Sequence, residues 1–93
     1  EALDQVLKCI KVPLTPGQLA AFTDAVYNVG PRVVCESTLQ KKANAGDLMG
    51  ACDELGRWVY VKGKVVGGLQ RRRAEEIRLC KSDADASTPR ISP

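Results

Sequence analysis

The clearest hydrophobic pattern lies in the stretch LTPGQLAAFTDAVYNVG. Its apolar residues recur at helical spacing and form one stripe, namely Leu19, Phe22, Val26 and Val29. Thr15 suits the N-cap, Pro16 suits the first helical position, and Gln18 completes a Thr-x-x-Gln capping box. Gly30 and Pro31 then end the helical pattern. The sequence therefore predicts a capped amphipathic helix that begins at Pro16 and ends before Gly30.

Other segments continue the helical pattern on both sides of this helix. The opening EALDQVLKCI has the spacing of an amphipathic helix, and a second N-cap, Ser37, starts a helix that ends near Gly46. Asp47 caps the next helix, whose apolar stripe consists of Leu48, Cys52, Leu55 and Val59. The stretch VYVKGKVVGG interrupts the pattern with three glycines, and a last helix follows from about Leu69 to Cys80. These patterns predict an all-α fold of four to five short helices.

Length and composition limit the chain to one soluble domain. Its 93 residues are 44% hydrophobic, and no apolar run approaches the roughly 18–20 residues of a membrane span, so we expect no membrane segment. The helical domain occupies residues 1–81, and the Pro/Ser-rich residues 82–93 are expected to be a disordered polar tail. The net charge of +3 favours an anionic surface or polymer as partner.

Histidine and cysteine usage narrows the possible chemistry. The chain has no histidine, which excludes a Ser/His/Asp or Cys/His mechanism for this chain acting alone. Its four cysteines, Cys9, Cys35, Cys52 and Cys80, contain no CxxC pair, so a zinc site would need four widely spaced thiolates. Two disulfides in an oxidising compartment are the favoured alternative, and the residues alone leave three pairings open. No metal site and no cofactor are predicted.

The three arginines of GLQRRRAEE raise the question of a nucleic-acid contact. On the last helix Arg73 lies in the middle of the apolar side, with Glu76 at its edge, whereas Arg71 and Arg72 point elsewhere. Both outer arginines precede a glutamate by four residues and can form surface pairs with Glu75 and Glu76. Each arginine thus has a carboxylate within reach, which argues against phosphate binding. Arg73 and Glu76 form either a buried structural pair or a group that projects into a cleft shared with another lobe.

A few polar-tipped residues do not fit a pure core interpretation. Tyr27 and Asn28 lie off the apolar stripe of their helix beside a glycine turn, where they could bind a sugar, although Tyr27 could also shield the end of the core. Trp58 flanks the apolar stripe of its helix, and core packing is the favoured role for it. The spacing of GKVVGG fits neither GxGxxG nor GxxxxGK[ST], so nucleotide binding is not predicted.

Four blocks, LTPGQLAAFTDAVYNVG, STLQKKANAGD, GACDELGRWVYVKGK and GLQRRRAEE, resemble in this order the C-terminal lobe of lysozyme-type phage endolysins, glycoside hydrolase family 24. The resemblance covers about residues 5–81. It implies an enzyme that cleaves the N-acetylmuramic acid to N-acetylglucosamine bond of peptidoglycan. In that family the last helix packs against the catalytic lobe, so Arg72, Arg73 and Glu76 are expected at the contact between the lobes. One departure is Gly67-Gly68, where the family often has Pro-Gly.

The resemblance also implies a catalytic glutamate with Asp or Cys about nine residues later and Thr about six further, a spacing that no acid of this chain has. We therefore expect catalysis from an N-terminal lobe absent from this chain, with no catalytic residue here. The chain would keep the far wall of the glycan cleft, with the substrate-binding residues Tyr27, Asn28, Gly30, Ser37 and Thr38. The expected partners are peptidoglycan strands and that lobe, and the expected state is a monomer in the host periplasm or secreted.

The lysozyme-like arrangement also indicates a disulfide pairing. It places the helix of Cys52 beside the helix of Cys80, so that their apolar stripes meet and the two cysteines can pair. Cys9 and Cys35 then remain for the second disulfide.

Two functions of other classes stay open at this point. One is a stand-alone peptidoglycan-binding module without catalysis. The other is a helix-turn-helix at residues 16–45, which would need base-reading side chains along its second helix. That helix offers few of them, namely Gln40, Lys41, Lys42 and Asn44. Nucleic acid is therefore not an expected partner.

Overall fold

The computed structural model describes residues 2–61, 64–65 and 67–82. Within these residues the chain forms five α-helices: α1 (Ala2–Cys9), α2 (Pro16–Val29), α3 (Thr38–Asn44), α4 (Leu48–Glu54) and α5 (Gly67–Ser82). Short 3₁₀ turns follow α2 at Pro31–Val33 and α4 at Leu55–Arg57. Between α4 and α5 lies a pair of two-residue antiparallel strands, β1 (Tyr60–Val61) and β2 (Lys64–Val65). The predicted all-α fold is confirmed, with this small strand pair in the glycine-rich stretch.

Side-chain caps set the starts of α2, α3 and α4 where the sequence predicts them. Thr15 accepts from the backbone N–H of Gln18 at 3.1 Å, and the Gln18 side chain accepts from the N–H of Thr15 at 2.9 Å, which completes the capping box. Ser37 Oγ accepts from the N–H of Gln40 at 3.1 Å. Asp47 Oδ1 accepts from the N–H of Gly50 at 2.9 Å. Each cap supplies a partner to a backbone donor that the helix itself leaves free.

The buried side of α2 differs from the stripe that the sequence predicts. Phe22 and Val26 are buried, but Val29 is 39% exposed and Leu19 is only partly buried. The buried set is instead Gly17, Gln18, Ala21, Phe22, Ala25 and Val26. Small residues occupy this face because α2 packs against both α1 and α5, and a short side chain lets the backbones approach. Leu19 packs against the core, so the predicted stripe is correct at Leu19, Phe22 and Val26 and wrong at Val29.

The core is continuous around α2, and charged side chains are buried beside its apolar members. Its apolar members come from every helix and include Val6, Phe22, Leu39, Leu55 and Cys80. The predicted inward stripe of α4 is confirmed, since Cys52, Leu55 and Val59 are buried and Leu48 packs against the core. Arg73 is among the fully buried side chains. A charge that is buried inside the protein needs a partner nearby.

Two disulfides fasten the helices, and both predicted pairings are confirmed. Cys9 at the end of α1 is joined to Cys35, and Cys52 in α4 is joined to Cys80 in α5. Their Cα–Cα distances are 5.4 and 5.8 Å, within the usual range for a disulfide. Each bridge links residues 26 or 28 positions apart. Two such bridges fit an oxidising compartment.

The last helix ends close to the predicted limit of the helical domain. Helix α5 includes Ser82, one residue beyond the predicted domain limit at residue 81, and the expected tail at residues 83–93 lies outside the described residues. In the described part of the chain, no helix is both long enough and apolar enough to cross a bilayer.

Candidate functional site

Arg73 is held inside the protein by a short ion pair with Glu76. Its side chain is 1% exposed, its Nη2 donates to Glu76 Oε2 at 2.8 Å, and its Nε lies 2.7 Å from Glu76 Oε1. The Nε contact is close but lacks hydrogen-bond geometry. Nη1 donates to the backbone carbonyl of Trp58 at 3.4 Å. The inward phase predicted for Arg73 is correct, and of its two open alternatives the structure has the buried pair.

Arg72 reaches a partner that the sequence did not single out. Its Nη1 lies 3.5 Å from Asp24 Oδ2, and the two side chains are 49% and 40% exposed. The surface pair expected between Arg72 and Glu76 is therefore wrong, because Glu76 is turned inward to Arg73. Asp24 sits on α2, far from α5 in the sequence. Only the packing of the two helices brings it within reach.

Asp24 and Glu76 also share a hydrogen bond between their carboxyl groups. Burial and the hydrogen bond with Asp24 together raise the pKa of Glu76 to about 8, and Arg73 opposes both effects. The hydrogen bond with Glu76 and the charge of Arg72 lower the pKa of Asp24, against the effect of its partial burial. The two carboxyls line a groove of about 340 Å³ between α2 and α5 with Ala20, Arg72, Glu75 and Leu79.

A second groove, of about 330 Å³, lies where α3 begins and α4 ends. Ser37 and Thr38, both predicted to bind substrate, line this groove together with the partly buried Trp58. The remaining lining residues are Glu36, Leu39, Lys41, Glu54 and Arg57. Hydroxyl groups, an aromatic ring and charges of both signs make this groove suited to a polar ligand with apolar faces. Trp58 also packs against the core, as predicted.

The groove is shaped by two features that sequence reasoning missed. Glu36 has φ 58°, and it is the one residue other than glycine with positive φ in the part of the chain that the structure describes. Its N–H donates to Gln40 Oε1 at 2.8 Å, which helps to hold this turn ahead of α3. Glu54 is buried and accepts from Lys42 Nζ at 2.9 Å, and its other oxygen lies 2.7 Å from Arg57 Nε. The three-residue spacing of Glu54 and Arg57 is the feature of the sequence that could have indicated this ion pair.

Tyr27, Asn28 and Gly30 lie at the end of α2, and none of them is among the residues that line the Ser37 groove. Tyr27 is 82% exposed, so it does not shield the core, and Gly30 ends the helix with φ 119°. Asn28 is exposed, and its Nδ2 donates to the backbone carbonyl of Asp24 at 2.7 Å. The structure thus divides the five predicted substrate-binding residues between the end of α2 and the start of α3.

Asp24 and Glu76 do not have the arrangement of a glycosidase pair. Catalytic carboxyls stand about 5–10 Å apart so that a sugar or a water fits between them. Asp24 and Glu76 are directly hydrogen-bonded and leave no such space. Glu54 is held by two cationic side chains. Within the described residues, no cluster of potential metal ligands is found. These sites can bind and orient groups, and no candidate general acid paired with a nucleophile emerges from them.

The arrangement of these helices is that of lysozyme-type endolysins. The structure is similar to the active form of the P1 phage endolysin Lyz, with a TM-score of 0.84 and 21% identity, over 94% of this chain and 56% of that one. It is also similar to the muramidase domain of SpmX from Asticaccaulis excentricus, with a TM-score of 0.76 and 26% identity, over 95% of this chain and 58% of that one. The phage lysozyme family model matches residues 1–76, and the chain belongs to this family.

Proteins similar to this chain in sequence include phage endolysins. The chain is 42% identical over 72 residues to the SAR-endolysin of Escherichia phage Mu, covering 77% of this chain and 42% of that protein. It is 46% identical over 79 residues to the SAR-endolysin of Enterobacteria phage PA-2, covering 82% of this chain and 46% of that protein. The chain thus spans less than half the length of these two relatives.

Proposed function

We propose that this chain is the C-terminal lobe of a peptidoglycan-degrading phage endolysin, a muramidase whose catalytic residues come from a segment outside this chain. The observation that carries the proposal is the family match over residues 1–76 in a chain that covers less than half of its SAR-endolysin relatives. In this sequence no glutamate is followed by Asp or Cys nine residues later and by Thr six residues further, which supports the proposal.

In this proposal the lobe forms the far wall of the glycan cleft. Thr38 offers a hydroxyl group beside Trp58 in a groove that also holds Arg57. Ser37 lines the same groove, and its hydroxyl, which donates to the Val33 carbonyl at 2.7 Å, fixes the wall beside Thr38. Tyr27, with its ring exposed, offers a stacking surface for a sugar at the end of α2. Asn28 and Gly30 adjoin it, and the Asn28 amide is suited to hydrogen bonding with an N-acetyl group. The net charge of +3 favours approach to the anionic cell wall.

The contact with the catalytic lobe is assigned chiefly to Arg72. Arg72 is half-exposed at the mouth of the α2–α5 groove, whereas Arg73 and Glu76 are enclosed within this lobe. Arg73 and Glu76 would therefore act indirectly, because their buried contact fixes the orientation of α5 and with it the position of Arg72. The disulfides fit the host periplasm or a secreted location, and we propose a monomer that acts on peptidoglycan there.

The test is turbidity loss of outer-membrane-permeabilised Gram-negative cells. The purified chain should cause none, because glycoside hydrolysis needs a proton donor and a second carboxyl or an activated water. A chimera that joins the N-terminal part of the phage Mu SAR-endolysin to this chain should restore lysis. Lysis by the chain alone would overturn the proposal and bring Glu36 and Glu76 back as candidate acids.

A sedimentation assay with insoluble peptidoglycan separates the proposal from a binding module. A folded chimera that fails to lyse cells, together with a chain that binds peptidoglycan by itself, would favour a module without catalysis. The sequence encoded directly upstream of Glu1 gives a further check. A Glu, Asp or Cys, and Thr in the family spacing there would support the enzyme.

A further inference from the structure

Glu36 has a backbone conformation that its surroundings must hold. Its φ of 58° lies in the left-handed region, which residues other than glycine rarely adopt. Its side chain is exposed, so packing of that side chain in the core does not fix the turn. Such a conformation persists only where neighbouring contacts determine it. Because Glu36 lines the Ser37 groove, the contacts that hold its backbone also shape one wall of that groove.

The side-chain amide of Gln40 makes the decisive contact. Its Oε1 accepts from the N–H of Glu36 at 2.8 Å, and its Nε2 donates to the backbone carbonyl of Cys9 at 3.1 Å. One neighbour is a donor and the other is an acceptor, so only one orientation of the amide satisfies both. The backbone N–H of Gln40 donates to Ser37 Oγ at 3.1 Å, which fixes the first turn of α3. The amide is therefore pre-organised toward Glu36.

The end of α1 supports Gln40 from the other side. Cys9 is the last residue of α1, and its carbonyl also accepts from Asn44 Nδ2 at 3.0 Å. Its side chain is bonded to Cys35, the residue directly before Glu36. The disulfide, the peptide bond after Cys35 and the two hydrogen bonds of the Gln40 amide thus close a ring. A turn inside this ring has little freedom to relax.

We propose that Gln40 is a positioning residue of the Ser37 groove: it holds Glu36 at positive φ and so keeps the Glu36 carboxylate on the groove wall as a hydrogen-bond acceptor for a bound glycan. The hydroxyl and amide N–H groups of N-acetylated sugars are donors that a carboxylate accepts. Within the residues that the structure describes, no ion pair engages the Glu36 carboxylate. Glu54, which lines the same groove, is instead held by two cations.

Only the glycan contact of Glu36 rests on the proposed function, whereas the hold of Gln40 on Glu36 can be measured in this chain alone. Amide hydrogen exchange followed by NMR in the 93-residue chain tests that hold. Gln40→Met removes both hydrogen bonds at similar side-chain length, so the Glu36 amide should exchange about three- to tenfold faster. The intraresidue amide–Hα NOE of Glu36, which is strong at positive φ, should weaken in this variant.

Gln40→Glu separates the two ends of the amide. It keeps an oxygen that can accept from the N–H of Glu36 and loses only the donor to the Cys9 carbonyl. It should therefore restore most of the slow exchange at Glu36 and most of the NOE. Loss of both signals in Gln40→Glu to the same extent as in Gln40→Met would show that the contact with Glu36 is not what holds the turn.

Asn44→Ala is the matched control. It removes the other donor to the Cys9 carbonyl and the acceptor for the N–H of Lys11, and it does not touch Glu36. It should speed exchange at Lys11 and leave Glu36 unchanged, whereas Gln40→Met should do the reverse. Equal acceleration of Glu36 in both variants, or no acceleration in Gln40→Met, would overturn the role of Gln40.

A glycan titration tests the acceptor role of Glu36. Trp58 is the single tryptophan of the sequence and lines the same groove, so its fluorescence reports binding of a linear tetramer of N-acetylglucosamine. Glu36→Gly leaves positive φ accessible and removes the carboxylate, and it should weaken binding about three- to tenfold. Gln40→Met should weaken binding in the same direction, and Asn44→Ala should not.

The two ways in which this titration can fail are distinct. Equal affinity of Glu36→Gly and the unchanged chain would remove Glu36 from the site and leave the proposed function standing. An unchanged chain that binds no tetramer would count against the glycan cleft of the proposed function and with it the glycan contact of Glu36. The exchange rates decide on Gln40 in either case.

Discussion

Glu54 and Glu76 are two glutamates with similar burial and different surroundings. Glu54 is 5% exposed and is held by Lys42 and Arg57, whose side chains reach water. Glu76 is 4% exposed and is held by Arg73, which does not, and it shares a hydrogen bond with a second carboxyl group. Burial alone therefore does not define the role of a charged residue in this lobe. The two glutamates differ in whether the cations that pair with them are exposed to solvent.

This difference has consequences for both grooves. At the Ser37 groove the cations around Glu54 remain available at the surface, where Arg57 forms part of the wall. At the α2–α5 groove the Arg73 side chain is buried, whereas the charged side chains of Arg72, Asp24 and Glu75 reach solvent. The first region is suited to contact a ligand directly. The second is suited to fix the geometry of a helix face.

The largest expected effect comes from removing each glutamate in turn. Glu76→Ala leaves the Arg73 guanidinium buried without the carboxyl group that pairs with it, and arginine cannot lose its proton, so we expect a loss of about 3–5 kcal/mol in the free energy of unfolding. Glu54→Ala removes the same atoms but leaves Lys42 and Arg57 in water, so we expect about 1 kcal/mol. Urea denaturation of both variants at pH 7 measures the difference. Equal losses would show that partner solvation does not distinguish the two sites.

The disulfides provide the next largest effect. Cys52–Cys80 ties α4, which carries Glu54, to α5, which carries Glu76, whereas Cys9–Cys35 lies outside both of these helices. Double replacement by alanine of either pair should cost about 3–4 kcal/mol by the chain-entropy argument. Loss of Cys52–Cys80 should also loosen the packing around Arg73. Amide hydrogen exchange along α5 should therefore accelerate more in that variant than in the Cys9/Cys35 variant. The reverse order would show that Cys52–Cys80 does not support the packing of α5.

Much of this fold depends on local signals, and those signals could be read from the sequence. The caps at Thr15, Ser37 and Asp47 involve residues only three positions apart, so the three helix starts were predictable. The family resemblance supplies the arrangement of the helices, and that arrangement predicts the disulfide pairing. The helical phase of α5 is sufficient to predict that Arg73 points inward.

The remaining features depend on which helices pack together. The exposed position of Val29 follows from the way α1 and α5 cover α2, and hydrophobicity along the chain does not contain that information. The Asp24–Arg72 contact joins residues of two separate helices, whereas charge spacing along one helix favoured Glu76 as the partner of Arg72. The division of the predicted substrate-binding residues between two surfaces has the same origin.

A smaller effect is expected from pH, and it acts through Glu76. Its pKa is about 8 in the folded chain against an ordinary value of 4.5, so the folded state binds this proton more tightly. The resulting stabilisation is fully present below about pH 4.5 and is lost as pH rises through 8. We expect the free energy of unfolding to fall by about 2 kcal/mol between pH 6.5 and pH 9. The lowered pKa of Asp24 acts in the other direction, with stability lost only as pH falls below 3.8.

Denaturation curves at a series of pH values check this dependence. Glu75→Gln serves as the control and should keep the slope of the unchanged chain, because Glu75 is an exposed carboxylate of the same groove. Glu76→Gln should flatten the slope between pH 5 and pH 9. A slope that persists in Glu76→Gln would place the titrating group elsewhere.

The smallest effects on stability are expected at the outer arginines, and there activity separates the two positions. Arg71 and Arg72 are both exposed, so Arg71→Ala and Arg72→Ala should each change the free energy of unfolding by less than about 1 kcal/mol. In the lytic chimera Arg72→Ala should nevertheless lower the rate of turbidity loss more than Arg71→Ala. Arg72 is held by Asp24 at the groove proposed to meet the catalytic lobe, and Arg71 is not among the residues that line it. Arg73→Ala cannot serve in this comparison, because its burial makes loss of folding indistinguishable from loss of contact. Equal lysis by the Arg71 and Arg72 variants, with both proteins folded, would remove Arg72 from the interlobe contact.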